Sequence, residues 1–213
     1  MKISVNYIIT FCLFQIAIGM VSSSNLNCQI LTSSESIKAL QEGVLVVRLD
    51  MQQKKIEAYE ASISYGNLSE KDSIRMEENL QEIKMERKIY KEAVIEAFSR
   101  HYTYSKLVFI ENQKFKAFLD GEDVNIEGKV DAIDLIKKTE NLFYLIKGRN
   151  DGHWIIVNED FKRPPAPFPN SFGLSGLTNF FDLLVGKKSY SLNNQMKLAK
   201  RVNKKLHLLD SRL

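Results

Sequence analysis

Two short apolar runs, Val44-Leu45-Val46-Val47 and Leu107-Val108-Phe109-Ile110, stand on either side of a long stretch of good helix formers. Apolar residues in a continuous run, rather than alternating with polar ones, mark strands buried on both faces, which is the habit of central or parallel strands. Two such strands joined through helix make a βαβ unit, so they are expected to be parallel, with a right-handed crossover. That pair demands cover on both sides of a sheet, and it predicts an α/β fold.

The remaining pattern fits around this unit. Ser33 to Gly43 reads as a short helix with a serine cap and a glycine stop. Met51 to Tyr65 predicts a helix, broken at Gly66-Asn67 before a longer one from about Ser69 to Arg100. In that longer helix Met76, Leu80, Ile83, Tyr90, Val94, Ala97 and Phe98 form an apolar stripe, interrupted by the charge at Arg87. Glu78, Glu82 and Glu86 lie on another face and read as a solvated acidic ridge, because like charges at this spacing repel. The segment from Gln113 to Lys129 is ambiguous between a short helix and turns, and Asp131 to Lys138 reads as a short helical piece. Asn141 to Lys147 and His153 to Val157 flank Asp151-Gly152, a strong hairpin signal, so these two strands are expected to be antiparallel neighbours. All 4 prolines fall between Phe161 and Gly186, beside Phe168, Phe172, Phe180 and Phe181. Leu192 to Leu209 predicts an amphipathic helix, apolar along Met196, Ala199, Val202, Leu206 and Leu209 and basic around the rest. The expected architecture is therefore one α/β domain with a small mixed sheet. Two buried parallel strands are joined by a long helical hairpin, an antiparallel hairpin follows, and helices including the C-terminal one pack on the sheet.

The first residues carry an address rather than a fold. Lys2 precedes an apolar stretch from Ile3 to Met20 without a charge, and Val21-Ser22-Ser23-Ser24 supplies the small residues a signal peptidase accepts. The expected organisation is a signal peptide over 1–24, a tail over 25–30 and a single α/β domain over 31–213. An uncleaved anchor is the alternative, since roughly 17 apolar residues can span a bilayer. Asn6, Thr10 and Gln15 dilute the run and favour cleavage. A further alternative is lipidation of Cys28, although Asn25-Leu26-Asn27 suits a lipoprotein signal poorly.

Four segments carry a resemblance. They are Lys38 to Leu49, Ala97 to Ile110, Pro167-Phe168-Pro169 and Ala199 to Leu206, which in order span most of the chain after its leader. Together they resemble a family of small exported proteins of Bacteroidota-type bacteria to which no function is assigned. The resemblance implies export and one α/β domain, and it carries no catalytic or ligand residue.

Composition closes several doors. The 30 Lys and Arg against 26 Asp and Glu leave a net charge of +4 on a mixed surface, which does not make nucleic acid an expected partner. The 2 cysteines, Cys12 and Cys28, leave the body without thiol catalysis or cysteine metal ligands. No phosphate loop, dinucleotide fingerprint, zinc-helix motif or calcium loop occurs, so no metal and no cofactor is expected. Gly173-Leu174-Ser175 begins like a nucleophile elbow but lacks its second glycine. Asn67-Leu68-Ser69 matches a glycosylation acceptor, which matters only in a eukaryotic source. His101, His153 and His207 are scattered, with His101 placed to suit a helix C-terminus and His207 expected among solvated lysines.

Two function classes remain. If the two strands are parallel, their carboxyl ends bring Arg48, Asp50, Glu111 and Asn112 to one edge, where ligands bind in open α/β sheets. Asp50 and Glu111 with Arg48 nearby are then candidate catalytic residues for a small envelope hydrolase, or with Asn112 a polar ligand site. The other class is a non-enzymatic binding or accessory module of the periplasm or cell envelope, or a secreted one. Its candidate contacts are Phe168 and Phe172 of the proline-rich segment, meeting an unknown protein or envelope component. The binding module is the expectation and the hydrolase the alternative. Membrane contact is expected only transiently through the signal peptide, or through a lipid on Cys28. The basic last helix is expected to dock on the domain, with a membrane surface as its other outlet.

Overall fold

A computed structural model describes residues 31–66, 68–122, 124, 136, 139, 141–148, 153–173 and 187–213, with side chains in the last stretch from 192. The chain divides into two units, Met1–Ile30 and Leu31–Leu213, and every described residue belongs to the second. Among the described residues, helices α1 (Ser33–Glu42), α2 (Gln53–Ser64), α3 (Glu70–His101), α4 (Phe115–Leu119) and α5 (Lys187–Asp210) accompany five strands. These are β1 (Val44–Leu49), β2 (Lys106–Glu111), β3 (Leu142–Lys147), β4 (His153–Asn158) and β5 (Ser171–Gly173), in the sheet order β2-β1-β3-β4-β5.

The pairing follows the sequence pattern. β1 runs parallel to β2 with Val46 opposite Val108, and parallel to β3 with Val46 opposite Tyr144. β3 and β4 are antiparallel, as are β4 and β5. The sheet is mixed, and the long connection between β1 and β2 is the α2–α3 helical hairpin. The Asp151-Gly152 turn and the helical piece predicted from Asp131 lie outside the described residues, Ile136 excepted.

Alternation along the strands sorts side chains between two cores. Leu45, Val47, Leu49, Phe109, Phe143, Leu145, Trp154 and Phe172 meet Ile37 and Leu40 of α1, Val94, Ala97 and Phe98 of α3, and Leu198, Val202 and Leu206 of α5. On the opposite face Val44, Val46, Val108, Ile110, Tyr144 and Val157 meet Phe115 of α4. β1 is buried from both sides because it is central, which is why its apolar run is unbroken.

Local caps fix the ends of the helices. Thr32, rather than a serine, caps α1 in a capping box: its Oγ1 accepts the Glu35 N–H at 3.2 Å, and Glu35 Oε2 accepts the Thr32 N–H at 2.7 Å. Ser69 caps α3. At 32 residues α3 is about 48 Å long, against about 20 Å for a six-residue strand. Its N-terminal half carries, with α2, a separate small core of Ile56, Leu80 and Ile83, closed by the Lys84–Glu60 ion pair at 2.7 Å.

Candidate functional site

The carboxyl ends of β1 and β2 are adjacent, with Leu49 opposite Glu111 and Arg48 opposite Ile110. Arg48, Asp50, Glu111 and Asn112 therefore do come to one edge of the sheet. They do not form one cluster. Because side chains alternate, Arg48 shares the α4 face with Val46 and Ile110, whereas Glu111 shares the α3 face with Leu49.

Each of these groups already has a partner. Arg48 donates its Nε–H to Asn112 Oδ1, and its guanidinium carbon lies 4.8 Å from the centre of the Phe115 ring. Burial pulls the Arg48 pKa down, and the nearby Asp50 carboxylate opposes that shift. Glu111 accepts from Lys91 Nζ at 2.6 Å through Oε1 and from Gln113 Nε2 at 2.8 Å through Oε2. The Lys91 and Glu111 side chains are 22% and 13% exposed, so this pair is largely removed from water. Asp50 accepts the Gln52 N–H at 3.1 Å through Oδ1, in a turn that holds Gln52 in the left-handed region at φ 52°.

One polar atom at this edge stands out. The Tyr90 hydroxyl of α3 is buried next to the Asp50 main chain and has no hydrogen bond of normal geometry among the described residues. Its pKa is raised, first by burial and then by the Asp50 charge. The Arg87 guanidinium lies 5.2 Å from the Tyr90 ring centre.

The aromatic candidates sit in the interior. Phe168 stacks on Phe143 at 6.2 Å and is 4% exposed, while Phe172, on β5, is fully buried at 0%. Their rings complete the α3-side core because β5 adds a fifth strand and carries Phe172 over it. Phe161 is 44% exposed, yet it stacks on Tyr144 at 5.3 Å from a left-handed backbone at φ 59°. Phe180, Phe181, Ser175, Asn67, Cys12 and Cys28 lie outside the described residues.

The histidines remain apart from one another. His101 ends α3 and His153 opens β4, exposed, with its ring against Gly173. His207 is exposed among lysines but also packs edge-on against Tyr104 at 5.0 Å. Among the described residues no group of three His, Cys, Asp or Glu side chains is placed to hold a metal, and no helix is long and apolar enough to cross a membrane.

Three residues that matter at this edge escaped sequence reasoning: Lys91, Tyr90 in its polar role, and Phe115. Lys91 carried a signal, since at helical spacing it falls on the apolar stripe two turns before Phe98. A lysine there needs a counter-charge, and Glu111 is that charge. Among the described residues the fold is an α/β domain with a five-stranded mixed sheet, and Arg48, Asp50, Glu111 and Asn112 stand at its strand ends. Compared with known proteins, the chain matches no family model, no curated protein and no solved structure.

Proposed function

We propose that this chain is an exported module of the cell envelope that works by binding, not by catalysis. The observation that carries the reading is the engagement of the strand-end charges: Glu111 is spent on Lys91 and Gln113, Arg48 on Asn112 and the Phe115 ring. A general acid or base needs a lone pair or proton facing substrate, and these groups face their own fold. The leader-like first residues, and the resemblance to exported proteins of Bacteroidota-type bacteria, support the export half of the proposal.

A hydrolase using Asp50 and Glu111 keeps one favourable observation, the Tyr90 hydroxyl buried beside the Asp50 main chain. A panel of chromogenic esters, phosphoesters and peptides separates the two readings when run on the chain and on an Asp50→Ala, Glu111→Ala variant. Equal background from both is expected. Turnover present in the parent and abolished in the double variant overturns the binding reading.

A further inference from the structure

Three exposed features lie outside the strand-end edge: the Phe161 ring, the α2–α3 arm with its exposed Tyr65, Ile74 and Met85, and the outward face of α5. The third carries furthest because its chemistry names an occupant. From Lys187 to Asp210 the helix holds seven lysines and arginines against the single Asp210. Leu198, Ala199, Val202, Leu206 and Leu209 turn into the core. Lys197, Lys200, Arg201, Lys204 and Lys205 are all exposed.

Their spacing makes a stripe. At 100° per residue these five cations and Leu208 fall within an arc of about 140° opposite the buried face, over about 17 Å of helix. No acidic residue shares the arc; Asp210 lies on the other flank, where it accepts from Gln41 Nε2 at 3.4 Å. Two of the cations are braced, Arg201 by donating to the Gly173 carbonyl and Lys205, at the rim, by lying 5.4 Å from the Phe172 ring centre. Lys200 and Lys204, on the side of the stripe away from Lys205, are exposed to solvent.

We propose that this face of α5 docks the domain on a lipid bilayer carrying anionic headgroups. Four of the five cations are lysines, compact charges suited to a diffuse anionic surface; bidentate phosphate recognition would select arginine. Leu208, 43% exposed, continues the line of cations, and an apolar side chain in line with lysines suits the boundary between headgroups and acyl chains. The stripe carries no aromatic ring on which a nucleic-acid base would stack. The choice of a bilayer also rests on the export reading above, which brings the chain to a membrane.

Each basic residue near an anionic surface is worth about fivefold in partitioning, and salt screens it. The unit Leu31–Leu213, which holds the described core, is sedimented with vesicles of phosphatidylcholine alone and of phosphatidylcholine with about 30 mol % phosphatidylglycerol, which supplies the negative surface potential. Expected is binding to the anionic vesicles at least about tenfold above the neutral ones, falling steeply with added salt. Lys200→Glu with Lys204→Glu is expected to weaken it by about 25-fold or more while leaving thermal unfolding unchanged. Leu208→Ser is expected to weaken it a few-fold without changing the salt dependence.

Equal binding to both vesicle types overturns the proposal, as does binding indifferent to the charge reversal. Tighter retention by a single-stranded oligonucleotide than by the anionic vesicles also overturns it. Cell fractionation tests export separately: vesicle binding by a protein that stays in the cytoplasm sinks the export reading and leaves the basic face standing.

Discussion

Replacing Gly43 with alanine tests how β1 is joined to its neighbours. Gly43 has φ −90° and ψ −152°, a conformation open to alanine, so the glycine is there for room and not for conformational freedom. A Cβ at this position would lie 2.6 Å from the Ala39 carbonyl oxygen and closer still to that of Asn141. Ordinary carbon–oxygen contacts begin near about 3.3 Å. Those two carbonyls accept the Gly43 N–H at 2.9 Å and the Val44 N–H at 3.1 Å, which close α1 and tie the start of β1 to the chain entering β3. The methyl group must displace one of them. Overpacking costs about 1–3 kcal/mol and a lost buried hydrogen bond about 1 kcal/mol, so the variant should lose about 2–4 kcal/mol. Urea unfolding of Leu31–Leu213 should show a lower midpoint with an unchanged slope. Gly66→Ala is the control: nothing lies within 4 Å of its added Cβ, and its φ of +66° alone should cost about 1 kcal/mol. A Gly43→Ala protein as stable as the parent would refute the close approach, since relief of unfolded-chain entropy alone would even stabilise it.

Phe172→Ala should cost about 3–5 kcal/mol, because the ring is fully buried in the main core; an unchanged melting temperature would return this ring to the surface role read from its sequence. Burial raises the pKa of Tyr102 and Tyr104, and that of Tyr144 to about 12, where Glu159 adds to the effect. A group whose folded pKa is raised stabilises fully below its unfolded value near 10, so stability should fall as pH climbs beyond about 10. Tyr144→Phe should flatten that alkaline limb, measured as unfolding midpoint against pH. Hydrogen bonds from the Thr32 backbone and side chain lower the Glu35 pKa, so this capping contribution is present above about 4.5 and lost as pH falls below it. Glu35→Gln should flatten the acid limb in the same assay, and an acid limb identical to the parent's would show that the capping box contributes nothing there.

The fold was legible wherever burial is written as a local pattern. The run at Val44 announced the central strand β1, and the run at Leu107 a parallel partner with a buried middle, although β2 stands at the edge of the sheet; α3 and α5 showed their core faces through spacing alone. β5 left no such mark: it has three residues, follows a run of prolines, and owes its place to pairing with β4. The position of β3 beside β1 is likewise a long-range choice, made when Asn141 meets Val44. At the candidate site, adjacency was legible and orientation was not. Parallel strands bring Arg48 and Glu111 to one edge whatever their register. Whether they share a face depends on Val46 standing opposite Val108, and a shift of one residue would have put them together. Lys91 reaches Glu111 only because α3 packs on that same face, which no spacing within either segment encodes.

A double-mutant cycle on Lys91→Met and Glu111→Gln bears most directly on the claim that the strand-end charges are structural. The pair is more buried than surface bridges worth up to about 1 kcal/mol and less buried than those whose disruption costs about 3–5 kcal/mol. Each single change should therefore destabilise by about 1–3 kcal/mol in urea unfolding, with a coupling near 1 kcal/mol between them. Groups held for catalysis commonly cost their fold stability, and neutralising them raises it. A Glu111→Gln protein more stable than the parent, with no coupling to Lys91, would contradict the structural account and return this edge to the enzyme reading.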